Sequence, residues 1–201
     1  MTGLSSILLH LIAAVLVGAP AAPDDLFDQL FARTMAKRAA LQSVRARFTE
    51  TTTSSLLEKP IVAHGTVMAV PPARVVMTYT DPERRTIVID EKYLTVSWPD
   101  RGEQEKIDIA RTQKRIDHYF TNATLKELRS MFEISAVHDA ALRGTDRVEM
   151  VPKRKQIKQG LERLDLWIDR ESLLLAQMRM TLAGGDTKTI KLEDVVVNAP
   201  A

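Results

Sequence analysis

Between Val44 and Trp98 the apolar residues recur at every second position in short stretches, and turn-forming residues close each stretch before the next begins. Val44, Ala46 and Phe48 lead into Thr51-Thr52-Thr53; Val67 and Ala69 run to Pro71-Pro72; Val75, Met77 and Tyr79 run to Asp81-Pro82. Ile87 and Ile89 open a fourth stretch, and Leu94, Val96 and Trp98 form a fifth that stops at Pro99-Asp100. A period of two is strand geometry, and proline punctuates it because it cannot donate to a central ladder. Parallel strands need crossovers of about a dozen residues or more. These spacings leave no room for them, so the chain is confined to an antiparallel meander.

The same pattern resumes downstream at Val148, Met150 and Pro152, at Leu164, Leu166 and Ile168, at Leu175, Met178, Met180 and Leu182, and at Ile190, Leu192, Val195 and Val197. Gly184-Gly185-Asp186 reads as the hairpin turn between the last two. Two segments follow the helical period instead. Behind Pro23-Asp24-Asp25, the apolar residues Leu26, Phe27, Leu30, Phe31, Met35 and Leu41 recur at threes and fours. Acids stand at the front and Lys37 and Arg38 toward the back, as the helix dipole favours. Such a stripe covers a core or lies on a membrane surface. Thr124-Leu-Lys-Glu127 is a capping-box pattern opening a short helix that carries Leu125, Leu128, Met131 and Phe132. Residues 105–116 mix alternation at Ile107 and Ile109 with charge, and their state stays open. The expectation is a mainly β chain with helices (α+β): one curved antiparallel sheet, without a linker or an internal repeat.

Residues 7–17 are apolar except for His10, and Ala19-Pro20-Ala21 follows as a peptidase site would. This predicts a signal peptide over residues 1–21 and one exported domain over 22–201. The apolar run is too short for a confident membrane span. No cysteine is present, so packing holds the domain without disulfides and no cysteine-linked lipid anchor is available. A net charge of +2 and an aromatic content of 5 % argue against a nucleic-acid binder.

The chemistry-bearing residues are dispersed. His64, His118 and His138 show no metal-ligand spacing. Asp165 and Asp169 would pair on a helix, but Leu164, Leu166 and Ile168 place them on a strand. There is no Gly-x-Ser-x-Gly elbow and no phosphate-loop lysine beside Gly184-Gly185. The expectation is no enzyme, no metal and no cofactor. Lys153, Arg154, Lys155 and Lys158 form a run with four cations and no acid, suited to an anionic headgroup or acidic partner, or simply to a solvated hairpin tip. The strand faces, rich in Val, Met, Ile and Leu, would serve either a packed core or a groove for a flexible acyl chain, to which methionine adapts readily. Alternation alone does not separate the two.

Taken in order, several segments resemble the LolA family of periplasmic outer-membrane lipoprotein carriers. They are Val44-Arg-Ala-Arg-Phe48-Thr-Glu, Gly65 before the second strand, Pro72 with the strand from Val75 to Tyr79, Asp81-Pro82, and Asp90-Glu-Lys92-Tyr-Leu94-Thr-Val96. Further on come Val148-Glu-Met-Val-Pro152-Lys, Leu164-Asp-Leu-Trp-Ile168-Asp and Ile190-Lys-Leu-Glu-Asp-Val. The resemblance implies an unclosed β-barrel covered by helices, with a cavity for acyl chains of lipoproteins taken from an inner-membrane transporter and delivered to an outer-membrane acceptor. Cavity candidates are Val67, Ala69, Val75, Met77, Tyr79, Ile87, Ile89, Trp98, Leu166, Met178 and Met180. Cover candidates are Leu26, Leu30, Leu125 and Leu128. The resemblance places aromatic cavity residues where this chain has Val75 and Met77, and a lid-fastening arginine where it has Pro71, which offers no donor. The expected protein is a soluble, monomeric periplasmic carrier. The alternatives are carriage or sensing of another lipid or glycolipid, and a non-catalytic interaction domain.

Overall fold

The computed structural model describes residues 25–38, 40–71, 74–111 and 123–198. The expected leader, Pro72, His118 and residues 112–116 lie outside them. Helix α1 (Leu26–Arg38) precedes strands β1 (Val44–Thr53), β2 (Ile61–Val70), β3 (Arg74–Asp81), β4 (Arg85–Ile89), β5 (Tyr93–Trp98) and β6 (Glu103–Asp108). Helix α2 (Leu125–Met131) leads into β7 (Phe132–His138) and β8 (Thr145–Pro152). A single helical turn, α3 (Lys155–Lys158), then precedes β9 (Leu161–Asp169), β10 (Leu175–Leu182) and β11 (Thr187–Val197).

All the strands join one antiparallel sheet in the order β6-β5-β4-β3-β2-β1-β11-β10-β9-β8-β7. The chain walks outward from β1 to one edge, crosses to the other, and walks back to β11. The two meanders are sewn together by the β1–β11 ladder, in which Phe48 faces Leu192 and Glu50 faces Ile190. A bulge between Arg45 and Arg47 interrupts this ladder, with Asp194 opposite it at φ 51°. Such bulges strengthen the local twist. Arg47 Nε donates to Asp194 Oδ2 at 2.6 Å across the break.

The curved antiparallel sheet with flanking helices is the expected architecture, with local corrections. β2 begins at Ile61, so Gly65 sits inside that strand and not before it. The open segment becomes strand β6 up to Asp108, and all six of its residues are exposed, which explains its weak apolar pattern. Phe132 continues the helical spacing of Leu128 and Met131, but it is the C-cap of α2 at φ −128° and the first residue of β7. The capping box forms as expected: Glu127 N donates to Thr124 Oγ1 at 3.3 Å, and Thr124 N donates to Glu127 Oε2 at 2.8 Å.

Gly65 fixes how two strands approach. It pairs with Phe48 on one side and Tyr79 on the other. Those two rings meet edge to face at 4.9 Å between centroids. A Cβ on Gly65 would overlap the carbonyl oxygen of Thr78 and stand 2.9 Å from the Phe48 ring. Only the absence of a side chain lets the rings meet there.

The core gathers on the face covered by the helices. Phe27 and Leu30 of α1, Leu128 and Met131 of α2, Phe132, Val148, Met150 and Leu164 form its larger part. Phe48, Ala63 and Tyr79 form the smaller part. The cross-strand pair Met178–Ile190 links the two, since Met178 packs on the first cluster and Ile190 on the second.

Candidate functional site

Helix α1 lies over β8 and β9 without filling the space beneath it. Asp25 caps the helix, accepting from Asp28 N at 3.0 Å, so the acids at its start satisfy backbone donors that the first turn leaves open. The helix turns Phe27, Leu30, Phe31 and Met35 toward the sheet, where Val148, Met150, Leu166 and Ile168 face them across a cavity of about 390 Å³. Leu173 and Leu174 of the β9–β10 turn and Leu175 at the start of β10 close one side, with Leu41 and Leu128 completing the apolar wall. Thr34 also lines the space, but its hydroxyl hydrogen-bonds the helix carbonyls of Leu30 and Phe31 at 2.9 and 3.0 Å. The volume is within the range that holds a small ligand or part of a flexible chain.

Two arginines tether the cover. Arg129 of α2 forms ion pairs with both Asp25 and Asp28, its Nε donating to Asp28 Oδ1 at 3.2 Å. The same guanidinium lies 5.5 Å from the Phe27 ring centroid. Burial raises the Asp25 pKa, but the hydrogen bonds from Arg129 and from Asp28 N outweigh it and hold the carboxyl below its usual range. Farther along the helix, Arg33 Nη2 donates to Arg170 O at 3.2 Å, tying α1 to the turn that carries Leu173. That turn is shaped by Asp169, whose Oδ1 accepts from Ser172 N at 2.6 Å and Glu171 N at 3.2 Å. Leu173 takes the left-handed conformation at φ 58°.

The sequence-predicted residues separate into groups. Leu30, Leu128 and Leu166 line the cavity, while Met178, Met180 and Leu125 are half-buried against the same core. Leu26 is half-buried at the first turn of α1. Val67, Met77 and Ile87 pack around Phe48, Ala63 and buried Tyr79 at the smaller cluster. Ala69, Val75 and Ile89 form a half-buried cross-strand row beside them. Trp98 stands apart in a polar cleft with Arg84, Asp100 and Arg101, its Nε1 donating to Glu83 Oε2 at 3.2 Å. Pro71 is exposed, and the side chains that tether α1 are Arg129 and Arg33.

Lys153, Arg154, Lys155 and Lys158 are exposed on and just before α3, while Ile157 of the same turn packs inward. Lys153 Nζ donates to Arg129 O at 3.0 Å near the end of α2. Among the described residues there is no metal-binding group of His, Cys, Asp or Glu, and no helix long and apolar enough to cross a membrane.

A polar arrangement on the same sheet face escaped the sequence reading. Glu50 continues the inward phase of Ala46 and Phe48 and is buried; that phase was its available signal. Tyr79 Oη donates to Glu50 Oε2 at 2.9 Å, and Lys188 Nζ lies 3.1 Å from Oε1. Burial, then the Glu50 charge and hydrogen bond, push the Tyr79 phenol up to about 12. The Arg85 guanidinium stacks 4.1 Å from the Tyr79 centroid.

Residues 39–201 match the profile of the outer membrane lipoprotein carrier protein LolA. The chain belongs to the LolA family. Comparison with curated protein sequences finds no match. Among solved structures, lipoprotein LppX of Mycobacterium tuberculosis is 17 % identical with a TM-score of 0.53, the alignment covering 86 % of this chain and 95 % of that one. A MucA/MucB complex from Pseudomonas aeruginosa contains a chain 16 % identical with a TM-score of 0.52. The alignment covers 86 % of this chain, and this LolA-family chain spans 58 % of that longer one. These likenesses concern the fold: an unclosed sheet bearing helices on one face.

Proposed function

We propose that this LolA-family chain is a non-enzymatic periplasmic carrier. It takes acyl chains of lipoproteins beneath α1 and shuttles them from an inner-membrane transporter to an outer-membrane acceptor, after removal of residues 1–21. The observation that carries this reading is the apolar cavity between a tethered helix and the sheet. Removing apolar surface from water is worth about 25 cal/mol per Å². Burying 200 Å² of acyl chain would therefore contribute on the order of 5 kcal/mol before ordering costs. The proposed cycle is non-covalent: α1 moves aside, the chain enters, and the helix returns.

The test is native mass spectrometry of mature protein isolated gently from an envelope fraction, followed by denaturing identification of the released mass. Acylated lipoprotein bound in a one-to-one complex is the expected result. Protein that emerges free of amphiphile, and that also fails to bind an added fluorescent fatty-acid probe, contradicts carriage.

A further inference from the structure

A second hollow, of about 270 Å³, lies on the helix-bearing face of the sheet, bounded by Glu50, Thr52, Ile61, Tyr79, Arg85 and Lys188 among others. Its lining sets Glu50 and Glu83 against Arg85 and Lys188, and Arg101 beside Glu83 adds a further cation. Lys188 and the Tyr79 hydroxyl occupy the two oxygens of buried Glu50. Glu83, which also borders the hollow, is engaged by Arg101 and by Trp98 Nε1, and lies 3.9 Å from Arg85. Arg85 makes only a long ion pair with Glu83 and stacks on the Tyr79 ring, with no carboxylate in hydrogen-bonding range, and its buried Nε has no hydrogen-bond partner. A buried guanidinium donor without an acceptor is costly, and a planar oxyanion is the group its fork fits best.

We propose that this hollow seats the acidic head of an amphiphile, a phosphate or carboxylate that accepts from Arg85 and Lys188. This inference rests on acyl-chain carriage beneath α1 and points to an acidic lipid as cargo, since ester- and amide-linked acyl chains of a lipoprotein carry no acidic head of their own. The sheet register argues for a head attached to a chain. Lys188 pairs with Met180, which pairs with Leu164, while the next row runs from Ile190 through Met178 to Leu166 on the cavity wall. Two strand spacings, about 10 Å, separate Lys188 on β11 from the cavity-lining strand β9, and the Met178 and Met180 side chains between are apolar, while Arg85 on β4 meets the hollow across Tyr79. Glu50 is the anchor that holds Lys188 and Tyr79 in place, while Arg85 supplies the donor that lacks an acceptor.

Titration calorimetry with decyl phosphate, 1-decanol and inorganic phosphate tests the assignment on the wild-type chain, on Arg85→Gln, and on Arg84→Gln as an exposed charge control. Decyl phosphate should bind about tenfold more tightly than decanol, as one charge-assisted contact allows. Arg85→Gln should erase that preference while leaving decanol affinity unchanged, and Arg84→Gln should retain it. Lys188→Gln should weaken the preference too, which keeps the test decisive if Arg85→Gln does not fold. Equal affinities for the two amphiphiles, or a preference that survives both substitutions at Arg85 and Lys188, would overturn the headgroup site alone. Inorganic phosphate binding as tightly as decyl phosphate would overturn it in favour of a free-oxyanion site. Absence of binding by either amphiphile would overturn this inference together with the carrier reading.

Discussion

At the scale of single residues, Gly65 and Tyr79 show how one face of the sheet is made dense. Gly65→Ala puts a methyl into the Thr78 carbonyl and the Phe48 ring, and should cost about 1–3 kcal/mol in urea unfolding, as overpacking of a dense site does. An unchanged midpoint would mean that the two rings do not meet across that glycine. Tyr79 gives a pH signature. Its pKa rises from 10.0 to about 12 on folding, so its protonated form is favoured in the native chain. The stability it contributes is complete below pH 10, declines between pH 10 and 12, and is gone above. Across that window the stability advantage of wild type over Tyr79→Phe should shrink by up to about 2–3 kcal/mol. A constant gap would contradict burial of the phenol beside the Glu50 carboxylate. The inward phase that placed Phe48 in the core was legible from alternation and also pointed Glu50 inward. Its partners were not legible, because Lys188 reaches it from a strand more than a hundred residues away.

At the scale of elements, α1 is a cover held by polar tethers at its rim and apolar contacts beneath. Arg129 is one-third exposed, so its ion pairs contribute modestly to global stability, but they fix the first turn of the helix. Arg129→Ala should therefore accelerate amide hydrogen exchange in α1 and speed exchange of a bound fatty-acid probe several-fold, with a stability loss of about 1 kcal/mol or less. Unaltered exchange in α1 would show that the clamp does not set its opening. The stripe of α1 was readable from spacing and charge order, which left open whether it faces a core or a membrane surface. β7 was not, because Phe132 satisfies both the end of a helical stripe and the start of a strand. The Leu173–Leu174 part of the wall was hidden for a different reason: where a turn points its side chains depends on one left-handed residue, which apolar composition does not reveal. The polar strand β6 has charged residues along an outer edge, a pattern that discourages edge-to-edge pairing more than it announces a strand.

At the scale of the whole molecule, two meanders meet at β1 and β11, leaving a single sheet face shared by the cavity beneath α1 and the polar hollow around Glu50. The order of short alternating segments made the antiparallel sheet legible. The long-range β1–β11 pairing that brings the halves together was not encoded in any local period. The proposed carrier uses this division directly, with a packed sheet as a frame and an incompletely filled helix–sheet layer as the exchangeable part. The most direct measurement is photocrosslinking with a long-chain fatty acid carrying a diazirine at its chain end, followed by peptide mapping with and without excess unlabelled fatty acid. Competable label on α1 and on the inward positions of β8 and β9, Leu166 and Val148 among them, is the predicted result. Label confined to outward positions such as Thr49 or Gln177, or label indifferent to competitor, would contradict acyl binding beneath α1.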